Sequence, residues 1–492
     1  MLFHVQIELS EELSEPLAVI FNLSLTTGTI PEMWKLANVT PIFKKGSKTT
    51  PGNYRPVSLT CIICKVMESL LRDQIVNHLA VNDLIYQSQH GFMRKKSCLT
   101  NLLEYMETLS DLVDQGHSVD VVYLDFAKAF DKVPHGRLAT VLTAHGIGGD
   151  VLAWVKEWLT GRSQRVVLNG KESAWLPVTS GVPQGSVLGP TLFVVFINPI
   201  DRVLEELSGF LSKFADDTKV GRIVDTQDDC EVLQQILNYL VEWADSWQMK
   251  FNADKCKVIH FGRANDRHKY TMGGHAPAGV VLEEVKVEKD VGVMVSEDLK
   301  PSTQCSQAAK KANSILGRMS RSFSYRDKVV WLRLYKTYVR PHLEYAVQAW
   351  CPWTQADIKV LEDVQRRAVG MISGLQGQSY QDKLSELELM SLEDRRVRGD
   401  MIQTWKILHG YDNVREATWF TRLNSTAVRD TRASSSPYTL VQNRANTELR
   451  RNTFSYRVVR GWNSLPINVQ SSSTVNAFKS SYDVWFQSSR VP

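Results

Sequence analysis

Apolar residues along this chain follow two periods. Over residues 8–27, Ile62–Leu79 and Leu99–Asp114 they recur every three or four positions, which predicts helices, the first closed by the breaker "TTGTIP". Residues 38–60, "NVTPIFKKGSKTTPGNYRPVSLT", read as two strands around a basic, Gly/Pro-rich loop. "SVDVVYLDFAKAF" opens on a continuous β-branched run, the pattern of a buried central strand. Helices are expected near 136–144 and 150–160, then a hairpin in which "QRVVLNG" and "AWLPVTS" flank the "NGKES" turn. A helix over 188–207 follows a Gly/Pro-rich entry. Two short strands in "LSKFADDTKVG" meet at a turn, a helix spans 228–247, and further strands run through "CKVIHFG" and "KDVGVMV". That order implies an α+β sheet domain with helices on one face. From about residue 305 to 410 the pattern is helical. The last 80 residues are rich in Arg, Ser, Thr and Asn, and no period stands out.

Composition narrows the picture. The chain has 492 residues, of which 43% are hydrophobic and 23% charged, with a formal charge of +5, values that fit a water-soluble globular protein of several structural units. The distribution of charge says more than its sum. Between Ser306 and Leu343 the only acid is Asp327, among Lys310, Lys311, Arg318, Arg321, Arg326, Lys328, Arg333, Lys336 and Arg340. Phe323, Tyr325, Trp331, Tyr335 and Tyr338 are interleaved with them, a mixture that suits a nucleic-acid backbone and its bases. The same mixture also describes a solvated helix face above its core stripe. A second basic stretch runs from Arg422 to Arg460. The seven cysteines are sparse and odd in number, which points to reduced thiols and an intracellular site, not a secreted protein. The pair Cys61 and Cys64 has no partner pair at zinc spacing and reads as thiols on a helix. The N-terminus has no secretory pattern, and the longest apolar run, "VLGPTLFVVFINPI", is too short to span a bilayer, so no membrane partner is expected.

The candidate chemistry lies in the acids. Asp125 ends the buried strand, where a carboxylate is costly unless a helix N-terminus or a cation compensates it. Asp216 and Asp217 sit at the tip of the "FADD" hairpin, where aspartate is also an ordinary turn residue. If the hairpin pairs beside the strand, three carboxylates converge and repel one another. Two Mg²⁺ ions about 4 Å apart would satisfy them and promote in-line phosphoryl displacement, with Mn²⁺ a possible substitute.

"YLDFAKAFDKV", "SGVPQGSVLGPTLF" and "KFADDTK", in this order, resemble the A, B and C motifs of reverse transcriptases. The flanking text resembles the non-LTR retrotransposon (LINE) branch, of the jockey and chicken-repeat kind. "GTIPEMWKLANVTPIFKKGSKTTPGNYRPVSLT" and "SQHGFMRKKSCLTNLL" are similar to its fingers segments, "MKFNADKCKVIHFG" to motif D, and "EKDVGVMVSEDL" to the primer grip. The resemblance covers essentially the whole chain. It implies an α+β right-hand polymerase: fingers at 1–115, a palm with an antiparallel sheet at 116–300, a helical thumb at 301–412 and a basic C-terminal region at 413–492. The implied activity is RNA-directed DNA polymerisation, extending a DNA 3′-hydroxyl on an RNA template with dNTPs. The place of action would be a nuclear or cytoplasmic ribonucleoprotein.

Carried over residue by residue, the resemblance makes Asp125 and Asp216 metal ligands, with Asp217 beside them and less directly bound. Phe130 matches the steric gate that excludes a ribose 2′-hydroxyl. Gln184 and Gly185 match the loop that packs on the incoming nucleotide, and Lys255 the donor of a proton to pyrophosphate. Lys44, Lys45, Arg55 and Arg94 are candidates to grip the triphosphate. Asp131 and Ser180 match family positions for which a structural role is equally natural. Elements of this kind usually carry an endonuclease ahead of the fingers. Here the fingers pattern begins within thirty residues of Met1, which predicts a truncated element. Two rivals stand beside the polymerase. An RNA-dependent RNA polymerase shares the palm but generally has a glycine before its paired acids and a polar gate, unlike Ala215 and Phe130. The other is a catalytically inactive, nucleic-acid-binding remnant.

Overall fold

The computed structural model describes residues 8–205, 207–273, 279–423 and 437–489. Its central sheet has the strand order Glu283–Glu284, Lys257–Phe261, Val119–Leu124, Asp217–Ile223, Phe210–Phe214, antiparallel except at the first pair. The β-branched run thus takes the middle position that its pattern predicts. Both faces are covered, which corrects the one-sided arrangement expected from the element order. Val122 and Leu124 join the main core with the helices Ile62–Val81, Gly149–Leu159, Gly189–Ile197 and Gln227–Ser246. Val119 and Val121 pack with Tyr105 and Leu109 of the helix Cys98–Asp114 on the other side. A strand apolar at nearly every position is what two covered faces require. Its one interior acid, Asp120, is fully satisfied by His260 Nδ1 at 2.6 Å, Tyr270 Oη at 2.7 Å and Asn265 Nδ2 at 2.8 Å.

A second sheet stands beside the first. Strand Leu36–Phe43 pairs antiparallel with Tyr54–Leu59 and parallel with Ser163–Leu168, whose hairpin partners are Lys171–Glu172 and Leu176–Pro177. The hairpin of residues 163–177 therefore leaves the central sheet and completes the one that carries the basic loop. Local pattern marks a hairpin but not the sheet it joins. Ser97 caps the helix Cys98–Asp114 in a reciprocal box with Thr100, and Thr226 does the same for Gln227–Ser246 with Asp229.

Beyond residue 301 the helices Ser302–Ser322, Lys328–Leu334, Gln355–Gly370, Tyr380–Glu386 and Leu392–Leu408 form a core of their own. The basic, aromatic stretch divides between surface and interior. Lys310, Lys311, Arg318, Arg321, Phe323, Tyr325 and Tyr338 are exposed, whereas Trp331 and Tyr335 are buried core residues. Trp331 donates its indole proton to the Ala368 carbonyl at 2.9 Å, and Tyr335 donates to Gln365 Oε1 at 2.7 Å.

The C-terminal region is no free basic tail. Helices Phe454–Asn463 and Val475–Ser488 build a third core with Leu392–Leu408. Arg450, only 4% exposed, reaches under the helix Cys98–Asp114 to Glu107 at 2.7 Å and to Ser110 Oγ at 2.8 Å. Arg457 makes two bonds to Asp400, both at 2.9 Å. Part of the stretch from Arg422 to Arg460, residues 424–436, lies outside the described residues. Among the described residues, no helix is long and apolar enough to cross a membrane.

Removing one partner of a buried pair strands the other charge. Arg450→Met is expected to cost about 3 to 5 kcal/mol, read as a fall in the urea midpoint. The control Arg451→Met, at an exposed pair with Glu448, should cost less than about 1 kcal/mol.

Candidate active site

Asp125 is the first residue beyond the central strand. Its amide donates to Cys256 Sγ at 3.4 Å, and its carbonyl accepts from Asn252 N at 2.7 Å. Phe126 bridges to Phe251 with the rings stacked at 4.3 Å. Segment 250–256 thus clamps the strand end. The next helix, Ala129–Lys132, has Lys128 at its N-cap, so the Asp125 carboxylate caps nothing. That removes the ordinary structural reason for an acid at this position.

On the neighbouring hairpin Phe214 pairs with Asp217, leaving Ala215 and Asp216 as the two-residue tip. Ala215 is left-handed at φ +58°, a conformation that costs an alanine energy and needs outside support. Support comes from residues 88–91, which run along the hairpin's edge. Lys213 N donates to the Ser88 carbonyl at 2.8 Å, and His90 N to the Lys213 carbonyl at 2.9 Å. Gln89 Oε1 accepts from both Ala215 N, at 2.9 Å, and Gly91 N, at 2.8 Å. A Cβ on Gly91 would come within 2.3 Å of Ala215 N, so only glycine lets this segment pass so close. The Lys213 ammonium is buried against the Asp201 carboxylate, which also accepts from Ser88.

The register does the rest. Leu124 pairs with Thr218, so Asp125 and Asp217 are neighbours on one edge, with Asp216 beside them. Asp217 is pushed up to about 6, first by its surroundings of protein and then by repulsion from Asp216, Asp290 and Asp125, against the pull of Lys219. Burial also raises Asp216, with Asp125 adding to the rise and Arg55 and Lys44 opposing it. One oxygen of Asp125, Oδ2, is shielded from water and accepts no hydrogen bond. Lys255 Nζ stands 3.3 Å from it, an ion pair whose geometry is not that of a hydrogen bond. An under-satisfied carboxylate beside two mutually repelling ones is a donor set that fits a hard divalent cation. Among the described residues no group of three or more His, Cys, Asp or Glu side chains is arranged to hold a metal ion unaided, so the acids here would need water and substrate oxygens to complete its shell. An open site is what Mg²⁺ uses, since it keeps waters and shares its shell with substrate phosphates.

Asp125 and Asp217 line a cleft of about 500 Å³, together with Lys45, Lys219, Lys255 and Asp290. Phe130 is half-buried and outside the cleft lining, its ring stacked on Phe193 at 4.3 Å. The loop of residues 180–188 is bonded on several sides. Gln184 donates from Nε2 to Asp131 Oδ1 at 3.0 Å, and Ser180 Oγ to the Asp131 carbonyl at 3.0 Å. The Gln184 carbonyl accepts from Ser58 N at 2.7 Å. Gly185 is at φ +119°, and a Cβ there would meet the Ser58 carbonyl at 2.4 Å. The close approach this glycine permits is to the strand Tyr54–Leu59, the strand that bears Arg55. Asp131 and Ser180 are thus structural partners.

Asp125, Asp216, Asp217, Lys255, Lys45, Lys44 and Arg55 are brought together. Arg94 is exposed, and the structure records no contact from it to the carboxylates. Sequence reasoning missed Gln89 and Gly91, which fix the hairpin tip, and Glu68. Glu68 is fully buried and accepts from Val187 N at 2.7 Å and Leu188 N at 3.1 Å, capping the helix Gly189–Ile197 with a negative charge. "SQHG" offered only a glycine in a polar, aperiodic stretch as a signal, and Glu68 offered an acid on the apolar face of a predicted helix.

The sequence profile of the reverse transcriptase (RNA-dependent DNA polymerase) family matches residues 42–311, more than half of the 492. The RNA-directed DNA polymerase from mobile element jockey of Drosophila melanogaster is 27% identical over 369 residues, 73% of this chain and 40% of that protein. The probable RNA-directed DNA polymerase from transposon X-element of the same fly is 27% identical over 370 residues, with the same coverage of 73% and 40%. The Pol polyprotein from type-2 retrotransposable element R2DM, also of Drosophila melanogaster, is 26% identical over 259 residues, 49% of this chain and 23% of that protein. The chain thus spans 40% of the length of the first two relatives.

The raised Asp217 makes a pH prediction. A carboxyl whose folded value is about 6 holds more proton than in the unfolded chain between its ordinary 3.8 and about 6, so stability falls as pH rises through that window. A bound divalent cation relieves the repulsion. Mg²⁺ should therefore raise Tm more at about pH 7.5 than at about pH 5, and Asp217→Asn should shrink the difference. Melts with and without Mg²⁺ at both pH values check this; equal shifts in the wild-type chain would contradict it.

Proposed function

The chain belongs to the reverse transcriptase family, and from that membership we propose that it is an RNA-directed DNA polymerase of a LINE-type mobile element, adding dNTPs to a DNA 3′-hydroxyl on an RNA template. The observation that carries the reading is the strand register that sets Asp125 next to Asp217, with Asp216 at the adjoining hairpin tip, beside a cleft lined by lysines and acids in equal number. Asp125 and Asp216 would hold the metal, with Asp217 completing the negative charge. Two Mg²⁺ ions, or Mn²⁺, bound there would activate the attacking 3′-hydroxyl and neutralise charge at the α-phosphate and the leaving pyrophosphate.

The protein's own groups supply the remainder. Arg55 and Lys44, whose charges act on Asp216, and Lys45 in the cleft wall are placed to bind the triphosphate. Lys255 stands 3.3 Å from Asp125 Oδ2, and its 62% exposed side chain can swing to the departing pyrophosphate to hold it and give it a proton. Phe130 is braced by Phe193, so its ring cannot retreat from a sugar 2′-hydroxyl. A phenylalanine that is both core and gate discriminates well because it is rigid. Gln184 and Gly185 hold the fingers strand to the palm while presenting their loop to the nucleotide. The exposed Lys310, Lys311, Arg318 and Arg321 suit the phosphates of the template–primer duplex, and Phe323, Tyr325 and Tyr338 suit its bases or sugars.

Two outcomes test the proposal. Purified protein with an RNA template, a DNA primer, dNTPs and Mg²⁺ should extend the primer, and Asp216→Ala should lower the rate by about 10³-fold or more while leaving hybrid binding intact. Salt-dependent binding with no extension by the folded wild-type chain would instead mark it as a binding protein. Phe130→Ala should admit NTPs, narrowing the dNTP/NTP ratio of kcat/KM by at least about tenfold; an unchanged ratio would remove Phe130 from the gate.

A further inference from the structure

A buried ion pair, Lys219 with Asp290, stands in the cleft wall beside Asp217 and has been given no role in the chemistry above. Lys219 follows Asp217 by two residues on the same strand, and its side chain is 3% exposed. Its ammonium pairs with the Asp290 carboxylate, itself 5% exposed. It also donates to Asn101 Oδ1 at 3.0 Å and sits 4.1 Å from the centroid of the Tyr105 ring. Asn101 Nδ2 reaches onward to Ser212 Oγ at 2.9 Å and to the Lys213 carbonyl at 3.1 Å. Both strands of the hairpin are therefore gripped through one cluster.

Asp290 ends the strand Val287–Asp290, just before a tight turn in which Val291 and Gly292 have φ of +42° and +94°. This turn leans on the helical domain. Tyr345, next after the helix Pro341–Glu344, donates its hydroxyl to the Val291 carbonyl at 2.9 Å. A Cβ on Gly292 would lie 3.1 Å from Tyr345 Cε1, so ring and turn are in close contact. An unbroken series of contacts runs from Tyr345 through the turn to Asp290, Lys219 and the strand of Asp217.

Stability alone does not account for this pair. A buried ion pair is often matched or bettered by apolar side chains of the same volume. What charge-assisted bonds add is direction, since they fix a strand along as well as across its axis. We propose that Lys219 and Asp290 are positioning residues that set the Asp217 carboxylate according to where the helical domain seats the Asp290–Gly292 turn. The inference rests on the polymerase reading of the site. It makes metal-holding geometry depend on domain placement, so that the site is fully formed only with the helical domain correctly closed.

The test compares wild type, Lys219→Met, Asp290→Asn, the double variant Lys219→Met/Asp290→Asn, and Tyr345→Phe. Each single change at the pair strands a buried charge and should lower Tm. The double variant removes both charges at nearly constant volume, so its Tm should stay within about 5 °C of wild type. It also removes one positive and one negative charge near Asp217, leaving the local field nearly balanced. Its kcat for primer extension should nonetheless fall by about ten- to a hundredfold, measured at saturating hybrid and dNTP. Its affinity for Mn²⁺, followed by electron paramagnetic resonance without nucleic acid, should fall at least about threefold. Tyr345→Phe should lower kcat in the same direction by less. A folded double variant with wild-type kcat and wild-type Mn²⁺ affinity would overturn the proposal and leave the pair as a structural one. A wild-type chain that binds Mn²⁺ but extends no primer would overturn the polymerase reading instead, and the Mn²⁺ affinity of the double variant would still decide the role of Lys219 and Asp290.

Discussion

Everything at the site depends on one pairing register, Leu124 opposite Thr218. A β-strand turns its side chains over at each residue, so a slip of one position would send Asp217 to the other face and part it from Asp125. Apolar alternation enforces the register. Val119 and Val121 must face the helix Cys98–Asp114, while Val122 and Leu124 must face the main core. On its other side the strand is locked to Lys257–Phe261 by Asp120, which pairs opposite His260 and bonds to it, to Tyr270 and to Asn265. The position of the acids is thus bought by packing some distance from them.

Once aligned, the acids work against the fold. Burial first, and then neighbouring like charges, raise Asp216 and Asp217, and Asp125 keeps an oxygen with no hydrogen bond. The surrounding structure carries this strain in fixed parts. Gln89 and Gly91 hold the left-handed tip at Ala215, the Lys213–Asp201 pair anchors one strand of the hairpin and Lys219–Asp290 the other, and residues 250–256 clamp the strand end. Each support comes from a different stretch of chain, so local rearrangement cannot relax the site. A cation can, and the neighbouring Lys44, Lys45, Arg55 and Lys255 explain how a polyanionic substrate could approach a cluster of carboxylates at all.

The elements were legible wherever a local rule governs them. The β-branched run at 119–124 declared a central strand, "FADD" a hairpin tip, and the periodic stretches at 62–79 and 99–114 their helices. Asp125 and the paired acids stood out because an acid in an apolar setting needs a reason. What was not legible is long-range. Nothing in "QRVVLNG" says that it pairs with Leu36–Phe43 instead of the central sheet, and nothing in "SQHG" says that it runs along the acidic hairpin. The second covered face went unread because the helix that covers it precedes the strand in sequence and looks like any amphipathic helix. The basic, aromatic stretch at 306–343 was half misread for a related reason. Trp331 and Tyr335 share the helical period of a core stripe, and exposure is decided by which neighbours arrive, not by composition.

The same lesson bears most heavily on the arginines near the C-terminus. A run of basic residues read alone suggests a surface for phosphate, yet Arg450 and Arg457 are spent on Glu107 and Asp400. Glu107 lies on the helix that backs the central sheet, and Asp400 on a helix of the second core. Asp114, at the end of that same backing helix, accepts from Thr447 N at 2.7 Å and from Asn446 N at 3.0 Å. The C-terminal helices therefore join the sheet that carries the acids to the helical domain that carries Tyr345. On the polymerase reading proposed above, that domain would have to move enough to admit a duplex and yet return to one place. A buried, directional set of ion pairs at the back of the sheet meets both demands, because it resists sliding while leaving the cleft side unobstructed.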